Sequence, residues 1–241
     1  MCWKDTVGIT PHRNTVVTEV RNYLDTFVYF VESELAPQTH MPIVMGMISA
    51  KTFQELRDVP CVYYNTEQLT REYICDAIVW TIGTLCPMEV WDYSKVNVEL
   101  LRTHGIQARH VPLQVPAWYR NELQMFRKEG ILYDVGFAGT MTPRRAAILD
   151  GLNSVGLIVR NVELFGDERD KELARCEVIL NIHAADDYEV FESARCEPWL
   201  SIGVPVVSEV SLDDDPRCIL TEYERIVQTT IDTIQRRYAW S

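Results

Sequence analysis

A loop with a glycine and two nearby arginines is the part of this sequence best suited to binding an anion. Gly139 and Thr140 follow a short apolar run, and Arg144 and Arg145 lie where a helix is predicted to begin. The free N–H groups and the dipole of a helix N-terminus favour an anion. Glycine lets the backbone approach a phosphate, and a guanidinium binds phosphate through paired hydrogen bonds. The loop therefore predicts a phosphate site that only one of the two arginines can face. A tight turn with two solvated arginines is the alternative.

Further polar residues lie at or just beyond the ends of predicted strands. Glu67 follows the run CVYY, Asp92 follows the run EVW, and Asn181 and His183 stand at the end of the run VILNI. The carboxyl ends of parallel strands meet at one edge of a sheet, where ligands bind. These side chains are therefore candidates for substrate contacts. Loop capping is the alternative for the two carboxylates, and a surface or buried structural role is the alternative for His183.

The stretch from Tyr133 to Glu209 alternates short apolar runs with helical patterns. Strands are predicted at 133–138, 159–165, 178–182 and 206–207, and helices at 144–152, 167–175 and 192–201. The continuous apolar run in the third of these strands is typical of a strand buried on both faces. Strands separated by helices in this way imply a parallel, doubly wound sheet.

The remaining chain contains a second set of strand candidates. Apolar runs predict strands at 26–31, 42–48, 61–64, 89–94 and 108–113, and Ser94 is predicted to cap a helix at 97–104 that Gly105 ends. The polar and aromatic segment 116–130 is predicted to link the two halves. Apolar residues at helical spacing between Arg217 and Tyr238 predict an amphipathic helix that packs on one of the domains.

Two glutamates and a glycine-proline motif connect these patterns to a known family. Glu189 and Glu197 stand eight residues apart, and the run GVPVV follows at 203–207. Together with the Gly139 loop, this combination resembles the nucleotide-binding half of glycosyltransferases of the GT-B architecture. The phrases YNTEQL, VWDYSKVNVELLRTHGI and ARHVPLQV resemble the amino-terminal half of a subgroup found in bacteria and large DNA viruses. The resemblance covers roughly residues 43–209.

The resemblance implies a donor site in the second half for a nucleotide-diphosphate sugar. It implies that Glu197 accepts hydrogen bonds from the ribose and that Glu189 or Glu192 lies near the sugar. Phe191 to Arg195 fits an F-E-x-x-R phrase of the subgroup, although a helical salt bridge between Glu192 and Arg195 is the alternative. The predicted donor-binding residues are Gly139, Thr140, Arg144, Arg145, Phe165, Gly166, Asn181, Glu189, Glu192, Arg195 and Glu197.

The resemblance also implies transfer of the sugar to a hydroxyl group of a glycan or another acceptor, without a metal or other cofactor. An enzyme that inverts the anomeric centre needs a general base for the acceptor hydroxyl. Glu67 is the first candidate and Asp92 the second, because each follows its own strand. His183 completes the predicted catalytic set as a substrate contact.

Composition excludes several other classes of protein. The net charge of −12, from 23 basic and 35 acidic residues, disfavours binding to nucleic acid or an anionic membrane surface. No apolar run approaches the length of a membrane span. The seven cysteines include no C-x-x-C pair, which favours free thiols in a reducing compartment. Asp186-Asp187 and Asp213 to Asp215 lack further metal ligands at a recognisable spacing. We therefore expect a soluble cytoplasmic protein without a metal site.

These observations predict an α/β protein with two Rossmann-like, doubly wound parallel-sheet domains of GT-B type. The predicted parts are a reduced acceptor-side domain at 1–115, a linker at 116–130, a nucleotide-sugar-binding domain at 131–216 and an amphipathic helix at 217–241. The predicted activity is sugar transfer from a donor held between the domains. A non-catalytic nucleotide- or glycan-binding module, a nucleotide-sugar epimerase and an unrelated doubly wound protein are the alternatives. The absence of G-x-G-x-x-G after the predicted strands argues against a dinucleotide oxidoreductase.

Overall fold

The first half of the chain forms a parallel five-stranded sheet. A computed structural model describes residues 16–19, 21–22 and 24–239. The strands are Val16–Val17 (β1), Ile43–Met45 (β2), Val62–Asn65 (β3), Glu89–Asp92 (β4) and Ala108–His110 (β5). They lie in the order β1-β2-β3-β4-β5, and all pairs are parallel. Their carboxyl ends therefore meet at one edge of the sheet. The parallel α/β sheet is as predicted, but among these described strands the order does not reverse, so the described part of this half lacks the predicted doubly wound order.

Four helices accompany the first sheet. They are Asp25–Phe30 (α1), Ala50–Leu56 (α2), Glu72–Leu85 (α3) and Lys95–Thr103 (α4). The Ser94 hydroxyl accepts hydrogen bonds from the N–H groups of Val96 and Asn97, which confirms the predicted N-cap of α4. This cap fixes the beginning of α4 directly after β4.

The predicted strand at 26–31 is wrong, because this segment is helical. Helix α1 continues as one π-helical turn, Val31–Leu35, and a 3₁₀ turn, Ala36–Gln38. Phe27 packs against Tyr64 and Tyr93 of the first half, with ring centroids 5.7 and 5.4 Å away. A short helix buried on most of its faces shows no polar stripe, and its apolar run therefore resembles that of a buried strand.

The second half forms another parallel five-stranded sheet. Its strands are Tyr133–Ala138 (β6), Val159–Val162 (β7), Cys176–Asn181 (β8), Val206–Glu209 (β9) and Ile219–Thr221 (β10), and its order is β10-β9-β8-β6-β7. The helices are Ala117–Arg127 (α5), Pro143–Ser154 (α6), Gly166–Leu173 (α7), Ser193–Ser201 (α8) and Ile226–Tyr238 (α9). The order reverses between β6 and β8, which confirms a doubly wound sheet in this half. Such a reversal marks the edge of the sheet where ligands bind.

The end of the chain differs from the sequence-based prediction. The predicted helix from Arg217 is wrong at its beginning, because Ile219–Thr221 pairs with β9 as an edge strand and α9 begins only at Ile226. Ile226 and Ile234 are buried in the core of the second half, so α9 packs on this sheet. The segment predicted as a linker contains α5, whose Tyr119 and Leu123 are buried. The predicted domain boundaries themselves stay predictions.

Candidate functional site

A cavity of about 860 Å³ lies between the two halves. Its walls come from the loop after β3, from α1, from the loops after β6 and β7, and from α8. The walls thus include the carboxyl ends of strands from both sheets, and one of these strands, β6, borders the reversal in strand order. The volume is within the range of small-molecule sites, about 300–1,000 Å³. The cavity is therefore the candidate functional site.

The buried Arg145 and the partly buried Arg195 hold the loop after β6 in place. Arg145 donates from Nε to the carbonyl of Ile182 at 2.9 Å and from Nη1 to the carbonyl of Thr140 at 2.8 Å. Arg195 donates from Nε to the carbonyl of Ala138 at 2.9 Å. Asn181 lies beneath the cavity and accepts a hydrogen bond from Arg195 Nη1 at 2.8 Å. The loop is thus bound on both sides by cationic side chains.

Glu192 lies between these arginines and pairs with both. Its carboxylate is 3.3 Å from Arg145 Nη2 and forms a second ion pair with Arg195. The helical pairing of Glu192 with Arg195, the alternative suggested by their spacing, is therefore present. Burial and the neighbouring Arg195 lower the pKa of Arg145 to about 10, so the Arg145 guanidinium remains protonated at neutral pH. Two cations and one anion leave one net positive charge beneath the loop.

Gly139 is needed because the arginines approach the backbone closely. A Cβ atom at this position would lie 2.9 Å from Arg195 Nη2 and 3.1 Å from Phe137 Cζ. The hydroxyl of Thr142 caps α6 by accepting a hydrogen bond from the Arg145 N–H at 3.3 Å. The N-terminus of α6, the glycine loop and the net positive charge therefore coincide at one end of the cavity, which suits an anion.

Glu67 lies on the opposite wall, in the loop after β3. Its carbonyl accepts hydrogen bonds from Asn65 Nδ2 at 3.0 Å and Asn97 Nδ2 at 2.8 Å, and its N–H donates to Asn65 Oδ1 at 3.1 Å. The side chain lines the cavity, and burial raises the pKa of its carboxyl group. A carboxylate with a raised pKa is a stronger base at neutral pH.

Asp92 lies behind this loop and does not line the cavity. It accepts hydrogen bonds from Asn65 Nδ2 at 2.7 Å, from Asn97 Nδ2 at 3.1 Å and from the Ser94 N–H at 2.8 Å. Burial raises its pKa to about 7, although these three donors favour the charged form. Asp92 therefore orients the two asparagines that hold Glu67 and does not itself reach a bound molecule.

Three other predicted site residues turn away from the cavity. Arg144 pairs with Glu209 and with Asp186, the latter at 3.1 Å, and its guanidinium lies 3.8 Å from the ring centroid of Tyr223. His183 is buried beside Ser211, whose hydroxyl is 3.1 Å from Nε2, and burial lowers its pKa. Glu197 pairs with Arg217 and does not line the cavity.

Other predicted donor-binding residues have mixed positions. Phe165 lines the cavity together with Gly139 and Thr140 of the glycine loop, and its side chain is 45% exposed. Gly166 does not line it, and its N–H donates to Asp25 Oδ2 at 3.1 Å. Glu189 is exposed outside the cavity. The structure thus brings together Glu67, Gly139, Thr140, Arg145, Phe165, Glu192 and Arg195.

Two arginines at the cavity have no signal in the sequence. Arg169 pairs with Asp25 at 3.1 Å and with Asp170 at 2.8 Å. Arg71 pairs with Asp187 at 3.0 Å, and its guanidinium lies 4.4 Å from the ring centroid of Tyr188. Arg169 and Asp170 are neighbours in sequence, but the pairs Arg169–Asp25 and Arg71–Asp187 each join opposite halves of the chain. Such contacts depend on how the halves pack, and local spacing therefore contains no trace of them.

The described residues lack two further patterns, grouped metal ligands and membrane-spanning helices. Within the described ranges, no three His, Cys, Asp or Glu side chains are grouped as metal ligands would be. No helix in the part of the chain that the structure describes has the length and apolar character needed to cross a membrane.

Comparison with known proteins gives relatives but no family. No protein-family model matches the chain. Three proteins of Acanthamoeba polyphaga mimivirus are similar to this chain. Uncharacterized protein L140 is 35% identical, over 70% of this chain and 58% of its own length. Uncharacterized protein L137 is 32% identical over 71% of this chain and 24% of its own length, and uncharacterized protein L138 is 34% identical over 62% of this chain and 17% of its own length. The chain therefore spans less than two thirds of each relative. Among solved structures, the crystal structure of a GsuK mutant is 13% identical, with a TM-score of 0.29 over 96% of this chain and 71% of that one. This score is too low to support a shared fold.

Proposed function

We propose that the protein is a glycosyltransferase of GT-B type that binds a nucleotide-diphosphate sugar in the cavity between its two sheets. One observation carries this proposal: the positively charged cluster of Arg145, Arg195 and Glu192 lies beneath a glycine loop at the reversal of the second sheet. A diphosphate fits this end of the cavity because it offers oxygens to a helix N-terminus and to guanidinium groups.

Arg195 has a hydrogen-bond donor left for a ligand. Among the described residues, Arg195 uses Nε and Nη1 for hydrogen bonds to protein acceptors, and none is formed by Nη2. Nη2 lies beside Gly139, where a phosphate oxygen can approach the backbone. Fixed donors in a partly buried site stabilise charge that develops on a leaving group. The cluster would therefore stabilise the nucleoside diphosphate as it leaves.

Glu67 is the proposed general base. In the proposed step, the acceptor hydroxyl oxygen forms a bond to the anomeric carbon while the bond from that carbon to the diphosphate oxygen breaks. Glu67 takes the hydroxyl proton, and the bonding electrons leave with the nucleoside diphosphate. Its position across the cavity from the arginines suits attack from the side opposite the leaving group.

The binding half of this proposal can be tested by calorimetric titration with ADP, GDP, CDP and UDP. We expect at least one of them to bind, and we expect Arg195→Gln to weaken that binding by about tenfold or more, since a charge-assisted hydrogen bond is lost. Arg195→Lys keeps the charge and should retain part of the affinity. Arg217→Gln is the matched control, because Arg217 lies outside the cavity. No binding of any of the four at millimolar concentration would contradict the proposed donor site.

A further inference from the structure

One carboxylate stands beside the proposed diphosphate site on the wall formed by the second sheet. Val162, the last residue of β7, pairs with Ala138, the last residue of β6. Glu163 therefore follows β7 at the level where Gly139 follows β6. Neighbouring strands lie about 4.8 Å apart, so the two residues stand side by side at the sheet edge. Glu163 is exposed and lines the cavity.

Glu163 has no cationic partner among the described residues, in contrast to three of the four other carboxylates that line the described cavity. The fourth, Glu67, has no described ion pair either. Asp25 and Asp170 pair with Arg169, and Glu192 pairs with two arginines. Glu67 belongs to the opposite wall. The described contacts of the Glu163 side chain include no ion pair and one long hydrogen bond, 3.5 Å from Asn161 Nδ2. Its oxygens are thus available to accept hydrogen bonds from a ligand.

Apolar surface continues along the same wall. Leu164 and Phe165 follow Glu163 directly, line the cavity, and are 39% and 45% exposed. Pro198 and Trp199 of α8, both buried, also line the cavity. The planar nucleobase can pack on these apolar side chains while the ribose of the same nucleotide lies beside Glu163. The order along the wall would then be diphosphate, ribose and base.

We propose that Glu163 binds the ribose of the nucleotide by accepting hydrogen bonds from its 2′- and 3′-hydroxyls. This inference depends on the diphosphate site proposed above. In doubly wound domains that bind dinucleotides, an acidic residue about 20 positions beyond the phosphate loop accepts a hydrogen bond from the ribose 2′-hydroxyl. Glu163 has this position in the second half, whereas Glu197, the residue that the sequence suggested for the ribose, is paired with Arg217 outside the cavity. A carboxylate that accepts both hydroxyls selects ribonucleotides against dideoxyribonucleotides.

The test compares ADP, GDP, CDP and UDP with their 2′,3′-dideoxy forms by calorimetric titration of the whole chain. The variants are Glu163→Gln and, as a matched control, Glu168→Gln, which changes an exposed glutamate of α7 outside the cavity. Wild type and Glu168→Gln should bind the preferred ribonucleotide at least about tenfold more tightly than its dideoxy form. Glu163→Gln should lose most of this preference and keep the affinity for the dideoxy form.

The outcomes separate the two proposals. A ribose preference that Glu163→Gln alone removes supports the assignment of Glu163. A wild type that binds both forms equally, or a Glu163→Gln variant that keeps the preference, would overturn this assignment and leave the diphosphate site in place. A wild type that binds none of the nucleotides would overturn both the assignment of Glu163 and the diphosphate site. Melting temperatures equal to that of wild type would show that the substitutions at exposed positions leave the fold intact.

Discussion

The two walls of the cavity differ in the groups that they present and in how these groups are held. On the second-half wall, the buried Arg145 and the partly buried Arg195 hold a glycine loop at a reversal of strand order. On the first-half wall, whose described strands show no reversal, an aspartate and two asparagines orient the backbone of Glu67. The first arrangement suits the binding of an anion, and the second suits the holding of a base at a fixed position. Under the proposed function, substitutions on one wall should therefore reduce nucleotide binding, and substitutions on the other should reduce proton transfer.

The largest expected effect is on the first-half wall. Glu67→Gln should lower sugar transfer by about a hundredfold or more, because a general base is lost, while the affinity for nucleoside diphosphates stays within about twofold. Transfer rates and calorimetric titrations measure the two effects. Glu72→Gln is the matched control, since this exposed glutamate of α3 lies outside the cavity. Equal losses of affinity and rate in Glu67→Gln would remove the distinction between the walls.

A smaller effect is expected from the residue behind Glu67. Asp92→Asn should lower the free energy of unfolding by about 1–3 kcal/mol, because an amide N–H₂ would face donors from Asn65, Asn97 or Ser94. Chemical denaturation measures this change. An unchanged stability would show that the asparagines do not depend on Asp92.

Wild type and Asp92→Asn should also differ in how their free energy of unfolding depends on pH. Burial raises the pKa of Asp92 from 3.8 to about 7, so the folded state binds this proton more tightly than the unfolded state. The associated stability is fully present below about pH 4 and is lost as the pH rises through about 7. The stability difference between wild type and Asp92→Asn should therefore shrink between these pH values, by at most about 1.4 kcal/mol per pH unit. A difference that is constant across this range would argue against the raised pKa.

The smallest effect is expected outside both walls. Glu197→Ala removes an ion pair with the half-exposed Arg217 and should change the free energy of unfolding by less than about 1 kcal/mol. Nucleotide affinity should stay within about twofold of wild type, because Glu197 does not line the cavity. A large loss of affinity would restore the ribose role that the sequence suggested for Glu197 and would weaken the case for Glu163.

The sequence predicted the second half well because its local patterns are strong there. Short apolar runs buried on both faces alternate with helices, and the strands at 133–138 and 178–182 lie close to the predicted limits. Residue types alone pointed to the glycine loop that lines the cavity and to one of two neighbouring arginines facing it, whereas the predicted phosphate site stays a prediction. In the structure the arginine that faces the loop is Arg145.

Contacts between distant segments limited the rest of the prediction. Helix α1 has the apolar run of a strand because it is enclosed by the first sheet and α8. The Glu197 side chain forms an ion pair with Arg217, which follows β9 in the chain, and this contact holds it outside the cavity. The support of Glu67 by Asp92 requires two asparagines from separate elements. None of these relations has a fixed spacing along the chain.

The most direct test of the central proposal is nucleotide release from UDP-, GDP-, ADP- and dTDP-sugars, followed by mass spectrometry with water or a glycan mixture as the acceptor. We predict release from one nucleotide family by the wild type, strong reduction in Arg195→Gln and in Glu67→Gln, and no reduction in Arg217→Gln. Binding measurements on the same proteins should show that only Arg195→Gln loses affinity. No release from any of these donors, or equal release by the wild type and both cavity variants, would contradict the proposal that this cavity is the active site of a glycosyltransferase.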